Sequence, residues 1–310
     1  MESASPTYSV VIPVYNSQES VVEIKDRLKT IFEEVVMEPW ELILIDDGSI
    51  FSETWPTLEQ LALHHPNITS IQLTRNFGKA GALIAGFRYA RGKFIITMDD
   101  DLQHLPEDIP LLLQQQHHDI VLGHFPQKEH NIIKRTLSSI YSWAEAKLIN
   151  KPTGVKNSPF RLINKHVIDS MLKINTPYPS IQALLYFVSQ DAIMVNVTHA
   201  KRAHNRSGFT LKKMWQTFSN LLFNNSAALL KLIAVTGSLI SILSIILGTY
   251  FIFKRLFIGV HVQGWTSLIT VNLFLGGIIL FAIGILGEYQ IRIINGTEKR
   301  PSHIIRRIIK

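Results

Sequence analysis

Three adjacent carboxylates, Asp99, Asp100 and Asp101, end an apolar run in the stretch FIITMDDDLQHLP. Two such charges about 5 Å apart repel by roughly 3 kcal/mol at an effective dielectric of about 20. Open water or a cation must offset that repulsion. A hard divalent cation takes one or two carboxylates and completes its shell with substrate phosphate oxygens. The D-x-D spacing suits this arrangement, with Asp101 on the metal and Asp99 reaching a ribose or sharing the ion. The plainer alternative is a solvated turn with a helix N-cap. An EF-hand does not fit, because Leu105 stands where its glycine-containing turn belongs.

Two further clusters carry candidate chemistry. Asp46 and Asp47 close the run ELILIDDGS, where they either form a turn or accept hydrogen bonds from a nucleobase or ribose. In TRNFGKAG, Arg75 and Lys79 precede a helix start, which makes an anion site or merely a solvated basic surface.

The elements that must position these residues alternate. YSVVIPV reads as a strand, followed by a helix with Val21, Ile24, Leu28, Ile31 and Phe32 on one face. ELILIDDGS is a second strand, with a helix from about Glu53 to His65 after it. TSIQLTRN, a small-residue helix closed by Gly92, KFIITMDDD, a helix opening at Pro106 and DIVLG continue the pattern. Alternation of this kind predicts an α/β domain with a mainly parallel sheet covered on both faces. Ligands of such sheets sit beyond the carboxyl ends of the strands, so PVYN, DDGS and DDD should open on one rim. That convergence favours the cation over the solvated turn. No G-x-G-x-x-G or G-x-x-x-x-G-K-[ST] follows any strand, so a Rossmann dinucleotide or P-loop site lacks its phosphate cradle.

The last third has another character. Residues 232–253 and 265–287 contain no charge, and each stretch is long enough to cross a bilayer as a helix. Basic residues are denser in the tail than in the intervening loop, so a multi-pass hairpin with both termini cytoplasmic is expected. The N-terminus shows no signal peptide pattern. Residues 210–230 include TLKKMWQTFSNLLF, an amphipathic pattern expected to lie in the headgroup layer. Thirty-one Lys and Arg against 24 Asp and Glu give a formal charge of +7, which suits an anionic surface or a phosphorylated substrate. The absence of cysteine excludes disulfides and thiolate metal sites. The expected divisions are a catalytic domain at 1–209, the interfacial region at 210–230, the hairpin at 231–288 and a basic tail at 289–310.

SVVIPVYN, LILIDDGS, LTRNFGKAGALIAGFRYARGKFIITMDDDLQHLPE, FRLINKHVID and LGEYQIRIINGTEKRP together resemble the polyprenyl-phosphate glycosyltransferases of glycosyltransferase family 2. The resemblance spans nearly the whole chain. It implies a GT-A nucleotide-sugar domain and inverting transfer from a nucleotide sugar, UDP-linked by preference, to undecaprenyl phosphate. The product would be a lipid-linked sugar for envelope glycan or lipid A modification, made at the cytoplasmic face of a bacterial inner membrane. By motif match, Pro13, Tyr15, Asp46 and Asp99 would line the nucleotide pocket, with Asp47, Lys79 and Asp100 beside them. Asp101, with Asp99, would hold Mg2+ or Mn2+, and Gln103 would shape the sugar side. Asp100 departs from the small residue common between the two acids, and Asn16-Ser17 replaces a common Asn-Glu. Arg161 matches an arginine near the reacting phosphates, whereas Pro159 stands where some relatives carry an acid. Arg202 and Arg206 match a basic loop that clamps phosphate. The resemblance further implies membrane lipids as partners and a tetramer, with no role for nucleic acid. A processive polysaccharide synthase is the nearest rival, but its Q-x-x-R-W motif is absent. A non-catalytic membrane adaptor is the other.

Overall fold

β1 (Tyr8–Val14) is buried at every position, as a strand covered on both faces must be. The computed structural model describes residues 5–125, 149, 151–152, 154–174, 176, 179–198, 239, 257, 265–297 and 301–310. The chain divides into two compact units, one of Met1–Thr210 with Lys299–Lys310, the other of Leu211–Glu298.

In the first unit β1 pairs in parallel with β2 (Trp40–Asp46) and β4 (Phe94–Thr97), and β2 pairs in parallel with β3 (Ile68–Leu73). These four central strands and their polar carboxyl ends are the ones the sequence predicts. α1 (Gln18–Thr30) buries Val21, Ile24 and Leu28, and a π-helical turn over Ile31–Val36 continues the same face with Ile31 and Phe32. Phe32 stacks on Trp40 at 4.9 Å, which anchors this face to the start of β2. α2 (Thr54–His64) lies within a residue of its expected bounds. α3 (Lys79–Phe87) buries every residue from Gly81 onward and stops five residues before Gly92. A 3-10 turn at Pro106–Asp108 opens α4 (Ile109–Leu113), with proline in the first turn where its missing N–H costs nothing.

The sheet is less uniformly parallel than expected. β5 (Ile120–His124) does not join the parallel set directly. β6 (Arg161–Asn164) inserts antiparallel between β4 and β5, and β7 (Ala192–Asn196) adds in parallel outside β5. α5 (Lys165–Met171) and α6 (Ile181–Val188) connect β6 to β7. At the other edge the end of the chain returns as β8 (Ile305–Ile309), antiparallel to β3. The order is β7-β5-β6-β4-β1-β2-β3-β8. Part of the expected basic tail is thus a sheet strand.

In the second unit, taken over the residues whose side chains are described, no helix is long and apolar enough to cross a membrane. The backbone of the second expected span is nevertheless helical from end to end, within the 33-residue α7 (Trp265–Thr297). The first expected span and the interfacial region 210–230 lie outside the described residues, apart from Leu239.

Candidate active site at the carboxyl ends of the central strands

The loops that leave β1, β2 and β3 are stitched together. Asn16 adopts a left-handed conformation (φ 58°). Its Oδ1 accepts the Ile50 and Phe51 N–H groups at 2.9 and 3.1 Å, and its own N–H donates to Ser49 Oγ at 3.0 Å. Gly48 sits against the next loop so closely that a Cβ there would lie 2.4 Å from the Arg75 carbonyl carbon. Asp47 Oδ1 then accepts the Phe77 N–H at 2.7 Å. Arg75 stays exposed, with its guanidinium 4.3 Å from the Phe77 ring centroid.

The acids of the second strand are therefore inward groups. Asp46 accepts from the Ser49 N–H at 2.8 Å and from Gln72 Nε2 at 3.3 Å. Burial pushes the Asp47 carboxyl up to about 6, against the Phe77 and Gly78 N–H groups, which favour its charge. Asp46 next door pushes in the same direction as burial.

The triple acid is resolved by separating its members. Asp99 forms an ion pair with Lys79, the first residue of α3. Asp100 turns back to β1 and accepts the Tyr15 N–H at 3.0 Å, while its carbonyl accepts from Ser20 Oγ at 2.6 Å. Burial raises the Asp100 carboxyl above its ordinary range, opposed by the Tyr15 N–H and the Ser17 hydroxyl. Asp101 Oδ1 accepts the Gln103 N–H at 3.2 Å. Leu102 takes a left-handed conformation (φ 60°), and the reversal brings His104 back to the acids. One ligand atom each from Asp99, Asp101 and His104 lies within 4.8 Å of the others.

Arg161 opens β6 in register with Thr97, the last residue of β4, so the antiparallel insertion delivers an arginine to the same rim. It is 2 % exposed, its Nε donates to the Ser158 carbonyl, and its Nη1 is buried with no hydrogen-bond partner among the described residues. Burial lowers its pKa to about 10, while Tyr186 and Asp99 favour its charge. At neutral pH the group remains a buried cation.

Residues 9–176 match the sequence model of glycosyl transferase family 2. This chain belongs to glycosyltransferase family 2. It is 30% identical over 305 residues to an undecaprenyl-phosphate 4-deoxy-4-formamido-L-arabinose transferase of Photorhabdus laumondii subsp. laumondii, covering 97% of this chain and 94% of that protein. A protein of the same name from Proteus mirabilis is also 30% identical over 305 residues, covering 97% and 93%. Among solved structures, glucosyl-3-phosphoglycerate synthase from Mycobacterium tuberculosis in complex with UDP superimposes with a TM-score of 0.50 at 16% identity, covering 70% of this chain and 77% of that one. That likeness shows the fold, GT-A.

As a family 2 glycosyltransferase, the protein brings Tyr15, Asp46, Asp47, Lys79, Asp99, Asp100, Asp101, Gln103 and Arg161 to one rim. Pro13 lies just inside it, buried in β1 in register with Ile45. Arg202 and Arg206 lie outside the described residues. The bonds made by Asp47 and Asp100 hold loops together, a task their spacing did not reveal. His104 was also missed. Its only signal is its place three residues after Asp101, which means nothing until Leu102 reverses the chain. Two carboxylates and an imidazole make a donor set that fits a divalent cation.

Proposed function

We propose that this family 2 enzyme transfers a sugar from a UDP-linked donor to undecaprenyl phosphate, in an inverting, divalent-cation-dependent reaction at the cytoplasmic face of a bacterial inner membrane. The observation that carries this reading is Arg161, a buried cation whose Nη1 has no hydrogen-bond partner among the described residues, in register with the end of the strand that leads into Asp99 and Asp101. A buried charge with an open donor is costly unless an anion completes it. Phosphate is the anion the reaction brings. The lipid acceptor and the 4-deoxy-4-formamido-L-arabinose donor are favoured by relatives that match along almost the whole chain. The uncharged stretch 265–287 and the +7 charge support a membrane location.

In the proposed reaction an oxygen of the lipid phosphate bonds to the anomeric carbon. The bond from that carbon to the nucleoside diphosphate breaks, and its electron pair leaves with the diphosphate. A phosphomonoester has its second pKa near 6, so at neutral pH the acceptor is largely deprotonated and Pro159 in place of an acid is tolerated. The remaining obstacle is the approach of two anions. Lys79, paired with Asp99, and Arg161, whose charge Asp99 favours, supply positive charge, and Asp100 holds the Tyr15 N–H. A divalent cation held by Asp99 and Asp101 would neutralise charge on the leaving diphosphate.

The test is turnover of the purified chain with undecaprenyl phosphate and a panel of labelled UDP- and GDP-sugars, with Mg2+, with Mn2+ or with EDTA. Labelled lipid formed from UDP-4-deoxy-4-formamido-L-arabinose only with metal is the expected result. Nucleotide binding without lipid product from any donor would favour the adaptor reading.

A further inference from the structure

We propose that His104 is a ligand of the divalent cation and biases the site toward Mn2+ over Mg2+. This inference rests on the proposed metal-dependent reaction. Asp99 is shared with Lys79, and Asp100 is committed to the Tyr15 N–H. Asp101 is steadied by the Gln103 N–H. A site built from the acids alone is therefore poorer than its sequence implies. The imidazole of His104 makes up the set, with a ligand atom within 4.8 Å of one on each of Asp99 and Asp101.

The ring is also held in place. His104 is 3 % exposed and lies nearly parallel to Phe125, with centroids 5.1 Å apart and planes at 18°. Phe160, next to Arg161, packs on it at 5.5 Å. A ring fixed by two aromatic neighbours loses little freedom on binding a metal. The left-handed Leu102 is the local strain that permits this return. Imidazole nitrogen suits transition metals, whereas Mg2+ prefers oxygen ligands in a tight octahedron. Two carboxylates with one imidazole therefore favour Mn2+.

The test uses Mn2+ alone, added to the full chain in detergent without nucleotide or lipid. Free Mn2+ is followed by EPR, and bound Mn2+ is examined by pulsed EPR for coupling to a 14N nucleus. The wild type should show nitrogen coupling. His104→Phe, which keeps an aromatic between Phe125 and Phe160, should lose the coupling and about 10-fold or more in Mn2+ affinity. Its affinity for Mg2+, read by competition, should change far less. If His104→Phe does not fold, His104→Gln, judged by the same coupling and affinity ratio, decides. Bound Mn2+ without nitrogen coupling in the wild type, or equal Mn2+ affinity in a folded variant, overturns the assignment. Nitrogen coupling in a protein that transfers no sugar would leave this inference standing and sink the proposed reaction.

Discussion

Lys79 and Asp99 form an ion pair between the first residue of α3 and the loop after β4, so a side-chain cation already stands beside the carboxylate cluster. A metal at the cluster must compete with that ammonium. The side chains are 44% and 25% exposed, and pairs this open are worth up to about 1 kcal/mol. Lys79→Met should tighten Mn2+ binding about 2- to 5-fold in the absence of nucleotide. On the proposed reaction it should weaken binding of the UDP-sugar, whose diphosphate would lose a partner. Calorimetric titration with each ligand separates the effects, and unchanged metal affinity would show that the pair does not compete.

Arg161 separates function from stability. Its pKa is lowered to about 10, chiefly by burial, so the folded state holds its proton less firmly than the unfolded chain does. The buried charge therefore costs stability at all pH values below about 10. Replacing a buried ion by an apolar side chain of similar length is often neutral or stabilising. Arg161→Met should melt at or above the wild-type temperature while turnover falls about 100-fold or more. Parallel melting and activity assays check this, and a large fall in melting temperature would make Arg161 structural.

Asp47 gives a pH signature. Its folded pKa is about 6 against an ordinary 3.8, so between these values the folded state binds more protons than the unfolded chain. Stability should then fall as pH rises from about 4 to about 6 and level off above, as far as this group decides it. Asp47→Asn keeps an oxygen for the Phe77 N–H and removes the titration. The variant should gain stability relative to wild type as pH rises through that window. Melting curves from pH 4 to 8 that stay parallel would refute the assignment.

The legible parts of the fold were those governed by periodicity. β1 to β4 are apolar runs that end in acids or turn residues, and α1 shows its buried stripe at helical spacing. β6 has only four residues and opens with the charged Arg161, so hydrophobic pattern alone could not mark it as a strand between β4 and β5. β8, IRRII, reads in sequence as basic tail because paired arginines interrupt its apolar pattern; they are exposed at a sheet edge, where charge is common. The site divides in the same way. The D-x-D, the DDGS turn and Arg161 were named from motif, but the separate partners of Asp99, Asp100 and Asp101 depend on which loop lies beside each. Those neighbours are tertiary facts. The return of His104 depends on one backbone conformation at Leu102.

The final strand ties residues 302–304 to the Arg75 loop and to the start of α3. The Ile304 carbonyl accepts the Thr74 N–H at 2.9 Å, next to Arg75. The Ser302 carbonyl lies where a Cβ on Gly81 would come within 2.7 Å of it, two residues beyond Lys79. Removing residues 301–310 would strip the edge from β3 and release both the Arg75 loop and the start of α3. The truncated protein should melt lower and aggregate through its exposed strand edge. Gly81→Ala is the sharper test, because it leaves β8 present and crowds the Ser302 carbonyl first, with Phe77 Cβ next at 3.0 Å. Overpacking of this kind costs about 1–3 kcal/mol. The variant should stay folded and show a raised KM for the nucleotide sugar with a smaller change in kcat, since its effect reaches the diphosphate through Lys79. An unaltered KM in a folded Gly81→Ala protein would show that the returning strand closes the sheet without positioning the donor.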